Sequence, residues 1–283
     1  MRAPTISAAC LILCTSLGAA AQSVDSMSAQ LGVPPEIGAF AAWLGVLDGD
    51  LRVEGEIARF EHDDMPPSDG YGRNLALAIR DLVVQAATAR VGELVDGLCE
   101  PFVKAEFPSA GFATDEPDDA DEEFEKGFVQ VEMVACFHAD SLDAAALLEI
   151  YTSPDFRMEV EGRLERIWQE DGLSCVETGG MWALLDPTLA CNRIDRFAED
   201  GIAAEHSQVV WNQGEEPFQD IYFKESLKTF VRIPEGVALH YINYSRTTRL
   251  GRLKRALGRG KIEGSQENNA RALAALISAR ESR

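Results

Sequence analysis

The sequence predicts a mainly α protein: a helical bundle with a small antiparallel β element, a hairpin at about 229–244, and C-terminal helices. Three observations predict it. Apolar residues recur at three- and four-residue steps from Leu75 to Leu98. A capped helix start, Ser153-Pro154-Asp155, opens a second periodic run. Alternation with a period of two becomes clear only after Gly201, in "TFVRIPEGVALHYINYS".

The first segment reads as an address rather than as structure. Arg2 supplies a positive start, Ile6 to Leu17 an apolar stretch, and Ala19-Ala20-Ala21 a small-residue cleavage pattern. The apolar run is too short to cross roughly 30 Å of hydrocarbon. Residues 1–21 are therefore expected to be a cleaved signal peptide, and the protein periplasmic or secreted. Lipidation of Cys14 is disfavoured, because Leu13 stands where a lipobox needs a small residue.

Cleavage leaves Cys99, Cys136, Cys175 and Cys191. An even cysteine number in an oxidising compartment favours disulfides. Three pairings exist, and the sequence does not choose among them. Cys99 with Cys136 and Cys175 with Cys191 close the cheapest loops. No Cys-x-x-Cys occurs and no histidine stands at ligand spacing from a cysteine, so no metal and no cofactor is expected.

The remaining chain is expected to divide into a helical domain at 22–200 and a smaller α+β region at 201–283 packed on it. Pro34-Pro35 opens a helix with Ile37, Phe40, Ala41, Leu44 and Leu47 on one face. "DMPPSDGYG" breaks the chain, and one helix follows from about Arg73 to Cys99. The acidic run "ATDEPDDADEEFEKG" lacks the residue order of a calcium loop and reads as a solvated loop. "FVQVEMVACFHA" is expected to be helical again. Ser141 or Asp143 starts the next helix, with Leu147, Ile150 and Tyr151 facing inward. The capped run then places Phe156, Val160, Leu164, Ile167 and Trp168 on a buried stripe and ends at Gly172.

"LLEIYTSPDF" is similar to a motif in a family of small exported helical proteins of unknown function. There an aromatic residue ending one helix is followed by Ser-Pro or Thr-Pro starting the next. The position two residues after the proline, glycine in that family, is Phe156 here. The resemblance implies helical architecture and export, and no activity.

Gly179-Gly180 breaks the chain, and "PTLACNRIDRFAED" is expected to be a further helix ending near Gly201. A strand at 203–211 is expected to join the hairpin, whose turn is "IPEGV". "PFQDIYFKESL" is read as a helix. The hairpin places Val237, Leu239 and Tyr241 on one face, and Ala238, His240 and Ile242 on the other. "SQENNARALAALISARES" makes a final helix with Leu273, Ala274 and Ile277 inward, separated by "GRGK" from the segment before it.

That preceding segment carries the main candidate site. The chain has a formal charge of −21, yet "SRTTRLGRLKRALGRGK" holds seven basic residues and no acidic one. These are Arg246, Arg249, Arg252, Lys254, Arg255, Arg259 and Lys261. Leu250, Leu253 and Leu257 give the stretch an amphipathic pattern. It fits an anionic membrane surface, a protein partner, or internal docking against the acidic surface. Nucleic acid is excluded by the missing aromatics and by the charge of the rest of the chain.

Catalytic patterns are absent. His62, His138, His206 and His240 stand in no H-E-x-x-H arrangement, and neither G-x-S-x-G nor a phosphate-binding glycine loop occurs. The sequence points to an exported protein with a non-catalytic binding or envelope-associated role. The alternative is a hydrolase whose carboxylate/histidine site is assembled from distant positions. A pocket collecting two or more of His62, His138, His206 and nearby acids would favour that alternative.

Overall fold

The structure is a computed structural model that describes residues 38–44, 70–107, 126–161, 164–170, 172–178, 188–199, 201–213, 223–248 and 252–282. The expected signal peptide, His62 and most of the acidic run lie outside the described residues.

The architecture is not a helical bundle. Among the described residues, eight antiparallel strands form one sheet with helices on both faces. After a helical segment at 38–44 come α1 (Gly70–Val95), β1 (Phe102–Glu106) and β2 (Lys126–Phe137). Two short helices follow, α2 (Ala144–Thr152) and α3 (Pro154–Val160). Then come β3 (Leu164–Glu170), β4 (Leu173–Thr178), β5 (Thr188–Glu199), β6 (Ile202–Gln213), β7 (Phe223–Ile233) and β8 (Gly236–Thr248). The chain closes with α4 (Arg252–Glu281). The order across the sheet is β1-β2-β8-β7-β6-β5-β4-β3. Neighbours in sequence are neighbours in space from β3 to β8, and β2 returns to pair with β8.

The expected helices at 128–139 and 187–200 are strands, the first paired with β1 and β8 and the second with β4 and β6. In β2, Val129, Val131, Met133, Ala135 and Phe137 are buried towards one face, and Val134 towards the other. Gln130 and Glu132 keep the alternation in its first half, but Val134 and Cys136 make the second half continuously apolar, and a short run of that kind also fits a helix. The helix expected at 154–171 stops at Val160, and Ile167 and Trp168 belong to β3. The part of "PFQDIYFKESL" from Phe223 onward is strand β7, not helix. The two C-terminal helices expected around "GRGK" are one, since α4 runs through Gly258 and Gly260. Strands from either side of residue 200 pair directly, β5 with β6, so the helical character expected for 22–200 does not hold.

Local signals were legible where capping decided them. Asp143 accepts a hydrogen bond from the Ala146 amide at 2.7 Å and caps α2. Ser153 accepts from the Phe156 amide at 3.2 Å and caps α3, with Pro154 in the first turn. The β7–β8 hairpin turns at Pro234-Glu235, longer than expected but in the same place. Gly236 leaves the turn at φ 142°, and a Cβ there would run into the Phe137 carbonyl oxygen. Glycine is the residue that tolerates both conditions.

Two cores result. On the α1 face, Phe40, Leu44, Val83, Val91 and Leu94 pack on Leu227, Val231, Ala238 and Ile242. On the opposite face, Leu147, Tyr151, Phe156, Leu273 and Ile277 pack on Met133, Phe230 and Leu239. The bonded cysteines are Cys99 with Cys136, and Cys175 with Cys191. The first ties the segment after α1 to β2. The second joins directly opposed positions of β4 and β5.

Candidate functional site

The α4 face of the sheet is the candidate site. Three helices frame it: α2 lies on β6 and β7, α3 on β3, and α4 on β1 and β2. Strand register sorts its side chains into rows. Ala203, Phe230, Leu239 and Ala135 form an apolar row. Two residues along each strand lie Glu205, Lys228, Tyr241 and Met133. Two further along lie Ser207, Ser226 and Asn243, continued by Val131 and Ala105.

Ser207, Ser226 and Asn243 are all buried. One apolar cluster, around Ala105, Val129, Val131 and Ile262, continues their row, and another, around Phe230 and Leu239, lies beyond the charged row. Asn243 Oδ1 is buried with no hydrogen-bond partner. Such an acceptor is costly in a dry core unless something polar occupies the space before it.

The row beside it is charged. Glu205, whose side chain is 2% exposed, receives Lys228 Nζ at 2.6 Å on one carboxylate oxygen. Its other oxygen receives Arg196 Nε at 3.0 Å and Nη2 at 2.9 Å. Burial alone would raise the Glu205 carboxyl, but Lys228 and Arg196 outweigh it and hold it below the usual carboxylate range. Arg196 Nη2 also donates to Thr152 Oγ1 at 3.2 Å. Nearby, Arg157 pairs with Glu161 at 2.9 Å. Burial works to lower the Arg157 guanidinium, and Glu161 and Glu205 more than offset it.

Tyr151 and Tyr241 complete this face. Burial drives both phenols well above the ordinary tyrosine value, with Glu161 adding to each shift, and Asn269 of α4 opposes it at Tyr151. Both therefore act as neutral hydrogen-bonding groups at physiological pH.

The histidines do not gather on this face. His206 Nε2 lies 2.7 Å from Glu225 Oε1, with Asp195 Oδ2 3.8 Å from Nδ1, and all three occupy the α1 face. His240 is also on that face. Its Nε2 lies 3.2 Å from Glu132 Oε1, and Arg90 approaches the same carboxylate at 3.3 Å. The hydrogen bond from His240 is the largest influence holding Glu132 low, and burial lowers His240. Each histidine thus has its own carboxylate. His138 is exposed, with Nδ1 3.2 Å from the Glu235 carbonyl. Among the described residues, no three His, Cys, Asp or Glu are placed to hold a metal.

The basic segment divides between two elements. Arg246 lies in β8, while Arg252, Lys254 and Arg255 lie in the first turn of α4. Arg259 and Lys261 are exposed and make no ion pair among the described residues. Arg249 lies outside the described residues. Glu205, Lys228, Arg196, Ser226 and Asn243 escaped sequence reasoning. Their only signal was polar residues at alternate positions within strand-like runs.

Comparison with known proteins found no matching family model and no matching curated protein. Among solved structures, human StAR-related lipid transfer protein 5 aligns at 12% identity over 74% of this chain and 99% of that one, with a TM-score of 0.39. Human STARD10 aligns at 7% identity over 64% and 73%, with a TM-score of 0.39. A START superfamily protein from Mycobacterium smegmatis aligns at 10% identity over 53% and 97%, with a TM-score of 0.38. Likenesses this distant carry no argument about ligand or activity, which rests on the side chains themselves.

Proposed function

We propose that this protein is a non-catalytic binding protein that holds an amphipathic small molecule against the α4 face of its sheet. The observation that carries the reading is the buried row Ser207, Ser226 and Asn243, which runs into one apolar cluster and lies one row from another. An ordinary core would fill that row with aliphatic side chains. A ligand with an apolar body and a few polar groups is recognised by the combination found here. The chain is proposed to act outside the cytoplasm, a reading that its two disulfides support.

The test is a titration of the full chain, disulfides intact, with the neutral dye Nile red. Saturable one-site binding is expected. Asn243→Leu together with Ser226→Val should weaken it by about tenfold, equivalent to about 1.4 kcal/mol. An unchanged melting temperature would assign the loss to the site. Absence of saturable binding, or full binding by the double variant, overturns the reading.

A second reading concerns the basic segment, proposed as a contact for an anionic membrane surface or a protein partner. The exposed Arg259 and Lys261, unpaired among the described residues, favour it.

A further inference from the structure

We infer that Arg196 and Lys228 form an anion-recognition site, so that the molecule held on the α4 face carries a carboxylate or phosphate headgroup. This rests on the binding reading above and names the class of ligand.

The charge balance carries it. Arg196 on β5, Glu205 on β6 and Lys228 on β7 occupy one row of adjacent strands. One carboxylate serves both cations, each within 3.0 Å of it. The next cation on this face, Arg157, has its own carboxylate in Glu161. At Glu205 itself two cations share one carboxylate, which leaves one positive charge over in this cluster. That surplus is partly buried: the Lys228 side chain is 16% exposed and Arg196 45%. Lys228, the more deeply buried of the two, has one oxyanion for its three donors, and a ligand anion would supply another.

Donor capacity agrees with the charge balance. An ammonium has three donors, and Lys228 spends one on Glu205. A guanidinium has five donors, and Arg196 commits Nε and Nη2 to Glu205 and Thr152. Its Nη1 makes no hydrogen bond among the described residues. The guanidinium turns its Nε/Nη2 edge to one oxygen of Glu205 and keeps Nη1 on its far side, while Lys228 approaches the other oxygen with two donors to spare. Charge-assisted hydrogen bonds to an oxyanion are the strongest available to such a cluster. Glu205 is then a positioning residue, and Arg196 and Lys228 are the binding ones. The hydroxyls of Ser207 and Ser226 lie two residues along the same strands, where a headgroup's further oxygens would reach them.

The experiment compares matched amphiphiles on the full chain by isothermal titration: dodecanoate, dodecanol and dodecyltrimethylammonium, with inorganic phosphate and acetate as free anions. Dodecanoate is expected to bind about tenfold or more tighter than dodecanol, and the ammonium compound weakest. Arg196→Gln and Lys228→Met should each bring the dodecanoate-to-dodecanol ratio within about twofold. Arg271→Gln, on the exposed side of α4 and paired with Glu267, should leave the ratio unchanged. A purely structural ion pair would lower stability in the two site variants without moving the ratio, and that result overturns the inference. Equal affinity for dodecanoate and dodecanol overturns it too, while the binding reading stands. If no amphiphile binds, both fall. Displacement by phosphate alone at matching concentration keeps the anion site and overturns the amphiphile.

Discussion

Glu205 stands at the point where burial and charge oppose each other. Replacing it by glutamine leaves Lys228 and Arg196 facing each other across a buried amide. Breaking one partner of a buried pair costs about 3–5 kcal/mol, and here the lower end applies because Arg196 is partly solvated. The pH dependence follows from its lowered carboxyl. A group whose folded value lies below its unfolded one stabilises above the unfolded value, 4.5 for this carboxyl, and loses that contribution as pH falls through the folded value. Glu132 and His240 have the same sign: both are lowered in the fold, and His240 begins to lose its contribution below its ordinary 6.5. Denaturation curves from pH 7 down to pH 3 are therefore expected to show falling stability, with a shallower acid limb in Glu205→Gln than in the parent. Parallel limbs would remove Glu205 from the account.

Helix α4 joins the two halves of the proposal at the scale of an element. Its middle is pinned where Glu263 accepts a hydrogen bond from the Ala105 amide at 2.9 Å, which also covers the free side of β1. Its last turn is pinned where Glu281 accepts from the Ser141 amide and hydroxyl, both at 2.8 Å. Removing residues 246–261 would cut into β8 and α4 together, so charge reversal is the cleaner probe of the basic segment. Arg259→Glu with Lys261→Glu is expected to reduce sedimentation with phosphatidylglycerol vesicles by on the order of tenfold or more, since each basic residue near such a surface contributes roughly 1 kcal/mol. Unchanged sedimentation, together with unchanged recovery of any envelope protein, would leave the segment without a binding role. The β7–β8 hairpin shows the complementary case, an element whose turn was legible because Pro234 and Gly236 act locally.

The two disulfides act on the molecule as a whole. They close loops of 37 and 16 residues, and each is expected to stabilise by about 2–4 kcal/mol, mainly by restricting the unfolded chain. Protein recovered from its native compartment and alkylated without reductant is expected to carry no label on Cys99, Cys136, Cys175 or Cys191. Label on all four would overturn both the cross-links and the exported location.

The sequence by itself determined the features that depend on a few adjacent residues. The cap at Ser153, a helix start at Ser141 or Asp143 that the structure places at Asp143, the turn before Gly236, the helix expected at 73–99 and found at Gly70–Val95, and the apolar face of Leu273 and Ile277 were legible. Each is decided by backbone geometry or by one continuous face. Only the tertiary structure decided that 126–137 and 188–199 are strands. For 126–137 the partner strand β8 lies far away in sequence, and for 188–199 the mixture of polar and apolar residues on both faces left no clean alternation to announce a strand. Strand register also hid the candidate site. Arg196, Glu205 and Lys228 are ordinary polar residues along the chain, and only strand register brings one carboxylate between two cations.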